Sequence, residues 1–146
     1  MSGAVKVEDR LAIHDLLMAY VWASDTGDYE GYARTFTPDG LLVTSDGDPF
    51  RGREAIEGYA RTFFALPGSR GRMHFFQQMS IKPEGGGYRV FSFWMVVQVS
   101  VEDNTQRLRS TGTTDDLCLK IGDEWLLAER KIGRWNSKTA PWVGAV

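Results

Sequence analysis

The first half of the chain carries the hydrophobic spacing of helices. Over residues 7–22, apolar side chains recur every three to four positions behind an acidic start, which predicts an amphipathic helix over about 7–22, and the Thr-Gly-Asp segment 26–28 is expected to stop it. Asp28 is predicted to cap a second, short helix that begins at the next residue. A third helix is predicted over 53–64, where one stripe carries the apolar residues Ile56, Tyr59, Ala60 and Phe63.

The second half carries the patterns of strands. Four long strands are predicted, at about 73–82, 88–101, 106–120 and 125–135. A short strand at 41–44 follows a turn at 38–40, and Gly112 lies inside the third long strand, where it suits a bend. Helices followed by strands in this order predict an α+β fold, with a strongly curved, largely antiparallel sheet folded around the helices.

The strand patterns also predict what the sheet faces contact. In the strand 73–82, alternation places His74, Phe76, Gln78 and Ser80 on one face and Ile81 on the other. The strand 88–101 is apolar on both faces, which predicts a helix layer on one side and another hydrophobic surface on the other. Because such a patch is seldom left in water, the chain is predicted to be a homo-oligomer.

Composition and charge argue against several classes of protein. The 17 basic and 19 acidic residues leave a net charge of −2, which argues against general nucleic-acid binding. No apolar run approaches the ~20 residues of a membrane helix, and the N-terminus lacks the pattern of a secretory signal, so a cytoplasmic location is expected. A length of 146 residues favours one domain over 1–146, and 12% aromatic residues suffice for a core and a cavity wall.

Few residues offer chemistry other than acid–base catalysis. His14, His74 and Cys118 lack the paired spacing of metal ligands, so neither a metal nor another cofactor is expected. Cys118 lies between two leucines in a strand, as an inert buried thiol does, and the sequence contains no nucleophile-elbow motif. The basic segments 51–53 and 70–72 border helices and strands, and they are interpreted as solvated loops.

Three residues are candidates for proton transfer. His14 falls off the apolar stripe of the first helix and is interpreted as a surface residue. His74 opens a strand, with Phe76 next on its face, and alone it suits a structural role as well as a catalytic one. Asp25, just after the first predicted helix, is by itself most simply a turn residue. Neither His74 nor Asp25 alone decides between these roles.

The order of several residues along the chain resembles a known family. Tyr20 and Asp25 are followed by the Phe-Thr-Pro-Asp-Gly segment 36–40, by Gly52 leading into a helix, by His74, and by a final strand that contains Arg130. This order and its intervals resemble the SnoaL-like branch of the nuclear transport factor 2-like superfamily, over roughly residues 7–135. The resemblance implies a cone-shaped α+β barrel, a curved sheet around three helices that encloses an apolar pocket.

Within that superfamily, Asp25 and His74 look like the catalytic dyad of the scytalone dehydratase, bile-acid dehydratase and hexachlorocyclohexane dehydrochlorinase group. The resemblance also implies a pocket tyrosine at Tyr20 and a pocket arginine at Arg130. One departure is that the strands offer no candidate for the second pocket histidine of scytalone dehydratase. Another is that an ideal helix rotates Tyr20 about 140° away from Asp25, so the two are expected to converge only if the helix ends near Ala23.

The resemblance implies an enzyme that needs no cofactor and acts on a small hydrophobic substrate. His74 would take a proton from carbon, Asp25 would fix its ring, and Tyr20 and Arg130 would stabilise the leaving group or an enolate. Dehydration is the favoured form; the alternatives are an isomerase or cyclase, a non-catalytic ligand-binding protein and a protein-interaction module. The resemblance leaves the oligomer open between dimer and trimer. The expected pocket lining is Tyr20, Val21, Trp22, Phe36, Phe63, Phe76, Trp94 and Trp135.

Overall fold

The computed structural model describes residues 4–136, without the side chain of Gln78. In this range the chain forms three α-helices and six strands. The helices are α1 (Val7–Thr26), α2 (Tyr29–Arg34) and α3 (Arg53–Phe64). The strands are β1 (Phe36–Val43), β2 (Pro49–Arg51), β3 (Arg72–Glu84), β4 (Gly87–Val99), β5 (Gln106–Ile121) and β6 (Glu124–Arg134).

The strands form one sheet in the order β2-β1-β6-β5-β4-β3. All neighbours are antiparallel except β1 and β6, which run parallel. The predicted α+β class and mostly antiparallel sheet are therefore confirmed. The segment 38–40, predicted as a turn, instead belongs to β1, where an irregularity between Phe36 and Leu41 accommodates Pro38 and Gly40.

Helix α1 is longer than its hydrophobic stripe predicts. It continues past residue 22 to Thr26, and Gly27 ends it in the left-handed conformation at φ 77°. Asp25 therefore lies in the last helical turn, not in a loop after the helix. Because Ser24, Asp25 and Thr26 in this turn are polar, they do not extend the apolar stripe of the helix. The hydrophobic pattern alone therefore predicted that the helix ends too early.

The hydrophobic core lies between the helices and the concave face of the sheet. Ile13 and Leu17 of α1 pack there with Ile56 of α3 and Val90 of β4. A bulge in β3 between Gln77 and Ser80 reverses the faces of the residues after it. Ile81 is consequently buried and Ser80 exposed, the opposite of the assignment by strict alternation; the Gln78 side chain lies outside the described part of the structure.

Gly112 allows a close approach on the concave face of the sheet. A Cβ built at this position would come within 2.3 Å of the Trp94 ring and 2.0 Å of the Gly133 carbonyl oxygen. The Trp94 indole fills that space and donates from Nε1 to the Thr113 carbonyl oxygen at 3.1 Å. The absence of a side chain at Gly112 therefore lets the Trp94 ring pack directly against the backbone of β5.

Candidate active site

A cavity of about 210 Å³ lies between the three helices and the concave sheet face. Its wall is largely aromatic and includes Tyr20, Tyr32, Tyr59, Phe63, Phe76 and Trp94. Polar side chains interrupt this wall: His74, Thr114 and the arginines Arg72, Arg109 and Arg134. The cavity thus combines an aromatic wall with polar side chains that line a comparable part of it.

Asp25 and His74 are in contact at the side of this cavity. Asp25 Oδ1 lies 2.5 Å from His74 Nδ1, and Asp25 Oδ2 accepts a hydrogen bond from the His74 backbone N–H at 2.7 Å. Both side chains are 17% exposed. The last turn of α1 supplies the carboxylate and the start of β3 supplies the ring, which leaves Nε2 as the nitrogen that can accept a proton.

Tyr20 reaches the same cavity although α1 is intact as far as Asp25. The expectation that the helix ends near Ala23 is wrong, because α1 continues to Thr26. His74 extends from β3 and contacts Asp25 on the side of the helix where Asp25 lies. The Tyr20 hydroxyl is hydrogen-bonded to that of Tyr32, and the two ring centroids are 4.4 Å apart. Burial raises the pKa of both hydroxyls, so both stay protonated at neutral pH.

Tyr32 is a site residue that the sequence analysis missed. It is one of the apolar-face residues of the short helix α2, a position that is most simply assigned to the core. The sequence did contain a signal for Tyr32. The Asp28 cap fixes where α2 begins, and the start of the helix determines which of its residues face α1.

Arg130 lies behind Tyr20 in the interior, outside the cavity lining. Its side chain is fully buried and donates from Nε and Nη2 to the two oxygens of Asp116, at 2.8 and 2.6 Å. Its Cζ lies 3.9 Å from the Tyr20 ring centroid and 5.3 Å from that of Phe76. Burial acts against the charge, but the Asp116 carboxylate raises the pKa of Arg130 above its ordinary value. Asp116 points inward from β5, directly opposite Arg130 on β6. The sequence analysis did not single out Asp116, although it is a charged residue among the alternating buried residues of β5.

The other predicted lining residues divide into two groups. Phe63, Phe76 and Trp94 line the cavity as expected. Val21 and Phe36 are instead part of the buried core.

Trp22 and Trp135 are not in the cavity wall. Trp22 is 73% exposed, because two residues of helix rotate it about 200° from the inward-facing Tyr20. Trp135 packs on Phe93 at 4.6 Å between ring centroids, in a groove on the outer face of the sheet.

Arg72 lines the cavity, so the interpretation of 70–72 as a solvated loop is wrong for this residue. It is the first residue of β3, two positions before His74, and a strand brings such residues to one face. Cys118 is buried, and burial raises its pKa to about 12, which makes the thiol unreactive at neutral pH.

Residues 4–136 contain neither a candidate metal cluster nor a candidate membrane-spanning helix. No cluster of three or more His, Cys, Asp or Glu side chains with metal-binding geometry occurs there. None of the helices in that range combines the length and the hydrophobicity that a membrane crossing requires.

Three helices against a curved sheet, with a cavity between them that holds an aspartate–histidine pair, define a pocketed domain of the nuclear transport factor 2-like fold. The chain belongs to the SnoaL-like domain family, whose family model matches residues 5–131. The resemblance found in the sequence is thereby confirmed.

Solved structures share this fold across most of the chain. Aln2 from a Streptomyces species superposes with a TM-score of 0.82 at 20% identity, over 90% of this chain and 94% of that one. A protein of Catenulispora acidiphila in complex with S-DNPA has a TM-score of 0.78 at 25% identity, over 88% and 95%. A scytalone dehydratase-like protein of Novosphingobium aromaticivorans has a TM-score of 0.75 at 17% identity, over 90% and 89%. No curated protein matches the chain.

Proposed function

We propose that the protein is a cofactor-independent lyase that abstracts a proton from a carbon of a small hydrophobic substrate and eliminates water. The observation that carries this proposal is the contact between Asp25 and His74 at the wall of an aromatic cavity. A histidine fixed by a carboxylate and facing an apolar chamber is an arrangement suited to general base catalysis.

Asp25 determines which nitrogen of His74 is the base. Its carboxylate accepts from Nδ1–H, which holds the neutral ring in the tautomer with an unprotonated Nε2. When Nε2 takes the substrate proton, the same carboxylate stabilises the imidazolium that forms. The second bond, from the His74 backbone N–H, keeps the carboxylate oriented toward the ring.

The tyrosine pair supplies donors for the leaving oxygen. As Nε2 takes the proton, the electrons of the C–H bond form the new double bond, and the adjacent C–O bond breaks with its electron pair on oxygen. Tyr20 and Tyr32 stabilise that oxygen by hydrogen bonding, and the imidazolium returns its proton to release water. Arg130, which stacks on Tyr20 and is bound to Asp116, is a positioning residue in this scheme.

The relatives are compatible with this chemistry. The family fold encloses a pocket, one structural neighbour holds S-DNPA, and another is scytalone dehydratase-like. Isomerisation and cyclisation begin with the same proton abstraction, so the dyad also suits them. The tyrosine donors suit the leaving oxygen of an elimination as well as the enolate oxygen of an isomerisation. Elimination is the proposed form because one structural neighbour is scytalone dehydratase-like.

The proposal is tested with 5-nitrobenzisoxazole, a small aromatic carbon acid that opens to a coloured phenolate once a base removes its ring proton. His74→Ala is expected to lower the enzymatic rate about 10²- to 10⁴-fold, the usual contribution of a positioned base. The absorbance of the phenolate gives the rate directly, and the reaction needs no knowledge of the natural substrate.

The matched control is His14→Ala, because His14 is an exposed histidine on α1. This variant is expected to keep the wild-type rate. A wild-type rate no higher than that of His74→Ala would contradict the proposal and leave the cavity as a site for non-catalytic binding.

A further inference from the structure

Three arginines border the cavity on the side of β3, β5 and β6. Arg72 begins β3, Arg109 lies in β5, and Arg134 ends β6. The guanidinium of Arg134 is paired with Asp46 at 3.0 Å. The other two have no such compensation: among residues 4–136, no ion pair joins Arg72 or Arg109 to a carboxylate.

Arg72 is held in place but incompletely hydrogen-bonded. Its Nε donates to the Ser69 carbonyl oxygen at 3.1 Å, and its Cζ lies 4.6 Å from the centroid of the Phe63 ring. Its Nη2 is buried and has no hydrogen-bond partner among the described residues. Burial, followed by the neighbouring charge of Arg109, lowers the pKa of Arg72 from its ordinary value. A buried donor without an acceptor is costly, so this group is arranged for a partner from outside the chain.

Arg109 stands beside it in a fixed orientation. Its Nη1 donates to Gln98 Oε1 at 2.5 Å and to the Gly68 carbonyl oxygen. Both acceptors are neutral, so they hold the guanidinium without cancelling its charge. Two guanidinium groups that repel each other across a cavity are favourable only where an anion can sit between them.

The Asp25 carboxylate attracts Arg72 but does not supply that anion. Its two oxygens are occupied by the ring and the backbone N–H of His74. Two guanidinium groups against this one carboxylate leave the part of the cavity next to Arg72 and Arg109 with an excess of positive charge.

We propose that the substrate carries a carboxylate that Arg72 and Arg109 bind, while its apolar body packs on the aromatic wall. This inference rests on the proposed function, since it describes the substrate of the same cavity. A guanidinium presents parallel N–H donors that match the two oxygens of a carboxylate. Arg72 and His74 are two residues apart on one strand, about 7 Å. The substrate carboxylate and the carbon that loses its proton would therefore contact neighbouring positions of β3 that line the same cavity.

The test compares two probes that share one ring system, 2-naphthoate and 2-naphthamide, by isothermal titration calorimetry. The wild-type protein is expected to bind the acid at least tenfold more tightly than the neutral amide. Arg72→Gln and Arg109→Gln are each expected to weaken naphthoate binding about ten- to hundredfold, as for a hydrogen bond to a charged group. Naphthamide binding is expected to stay unchanged. Arg109 is exposed, so its variant is informative even if Arg72→Gln folds poorly.

Arg107→Gln is the matched control, because Arg107 is an exposed arginine of β5 outside the cavity lining. It is expected to bind naphthoate as the wild type does. Equal affinity of the wild type for both probes would overturn the carboxylate inference while leaving the proposed elimination standing. If the wild type lacks the 5-nitrobenzisoxazole reaction but still prefers naphthoate, the proposed elimination is overturned and the carboxylate site stands. If the wild type binds neither probe, the carboxylate inference is overturned.

Discussion

Asp25 accepts hydrogen bonds from His74 and donates none, and in the proposed mechanism this polarity lets the ring act as a base. In Asp25→Asn, the amide can donate from the position where the carboxylate accepts, so the ring takes the opposite tautomer and Nε2 carries the proton. We expect the rate with 5-nitrobenzisoxazole to fall by up to about 10⁴-fold, the effect of the equivalent change in a serine-protease triad. Asp15→Asn, at an exposed aspartate beside His14 on the same helix, is expected to leave the rate unchanged. An Asp25→Asn variant as fast as the wild type would disprove the tautomer argument.

The two cavity tyrosines are expected to share one task. With a neighbouring hydroxyl still present, Tyr20→Phe or Tyr32→Phe is expected to lower the rate only about tenfold, and the double variant by about 10³-fold, more than the product of the single effects. Because burial raises the pKa of both hydroxyls, ionisation of this pair is expected to cause no loss of rate below about pH 10. Rates of the four proteins across pH measure both effects. A double variant no slower than the product of the two single effects would refute shared donation. An alkaline loss near pH 9 that vanishes in the double variant would instead contradict the raised pKa of the pair.

The sequence identifies the dyad but not the residues that complete the site. Asp25 and His74 are found because their types and interval resemble a known pair. Arg72 is missed because a basic Arg-Gly-Arg segment is ordinarily solvated, and only the three-dimensional packing brings its side chain over Phe63. Trp22 is misplaced because an aromatic residue next to an apolar stripe can lie on either side of the stripe.

At the scale of elements, long regular patterns predict well and interruptions do not. The bounds of α3 agree with the prediction because its apolar stripe is clear. The face reversal in β3 escapes prediction, because strict alternation carries no mark of the bulge between Gln77 and Ser80. The second half of β1 agrees with the strand predicted at 41–44, whereas its first half escapes prediction because Pro38 and Gly40 are typical turn residues.

Two glycines test how closely these elements pack. In Gly112→Ala the new methyl group would collide with Trp94 and with the backbone of β6, so we expect a loss of about 1–3 kcal/mol in the free energy of unfolding. Gly58, exposed in the middle of α3, has open space around its Cα. Gly58→Ala is therefore expected to stabilise by about 0.5–1 kcal/mol. Chemical denaturation measures the free energy of unfolding of both variants. A Gly112→Ala variant as stable as the wild type would show that Trp94 does not pack tightly against Gly112.

At the scale of the molecule, the outer face of the sheet is the largest feature without a partner within the described chain. Phe75, Phe91 and Met95 are each more than a third exposed there, beside a groove lined by Phe93 and Trp135. We expect a homo-oligomer that buries this face. Met95→Glu is expected to lower the mass measured by size exclusion with light scattering, because a charge would be buried in the interface. Leu11→Glu, at an exposed leucine of α1, is the control, and a wild-type monomer at micromolar concentration would rule the prediction out.

The two bonds of Asp25 have different requirements at position 74. One needs a histidine ring, whereas the other needs only a backbone N–H, which every residue except proline provides. A descendant of this protein that lost its chemistry would be free to replace the histidine, yet the aspartate would still join the end of the first helix to the sheet. Natural selection for folding alone would therefore preserve half of the dyad, and an isolated aspartate at this place in a relative is a trace of ancestry rather than a sign of catalysis.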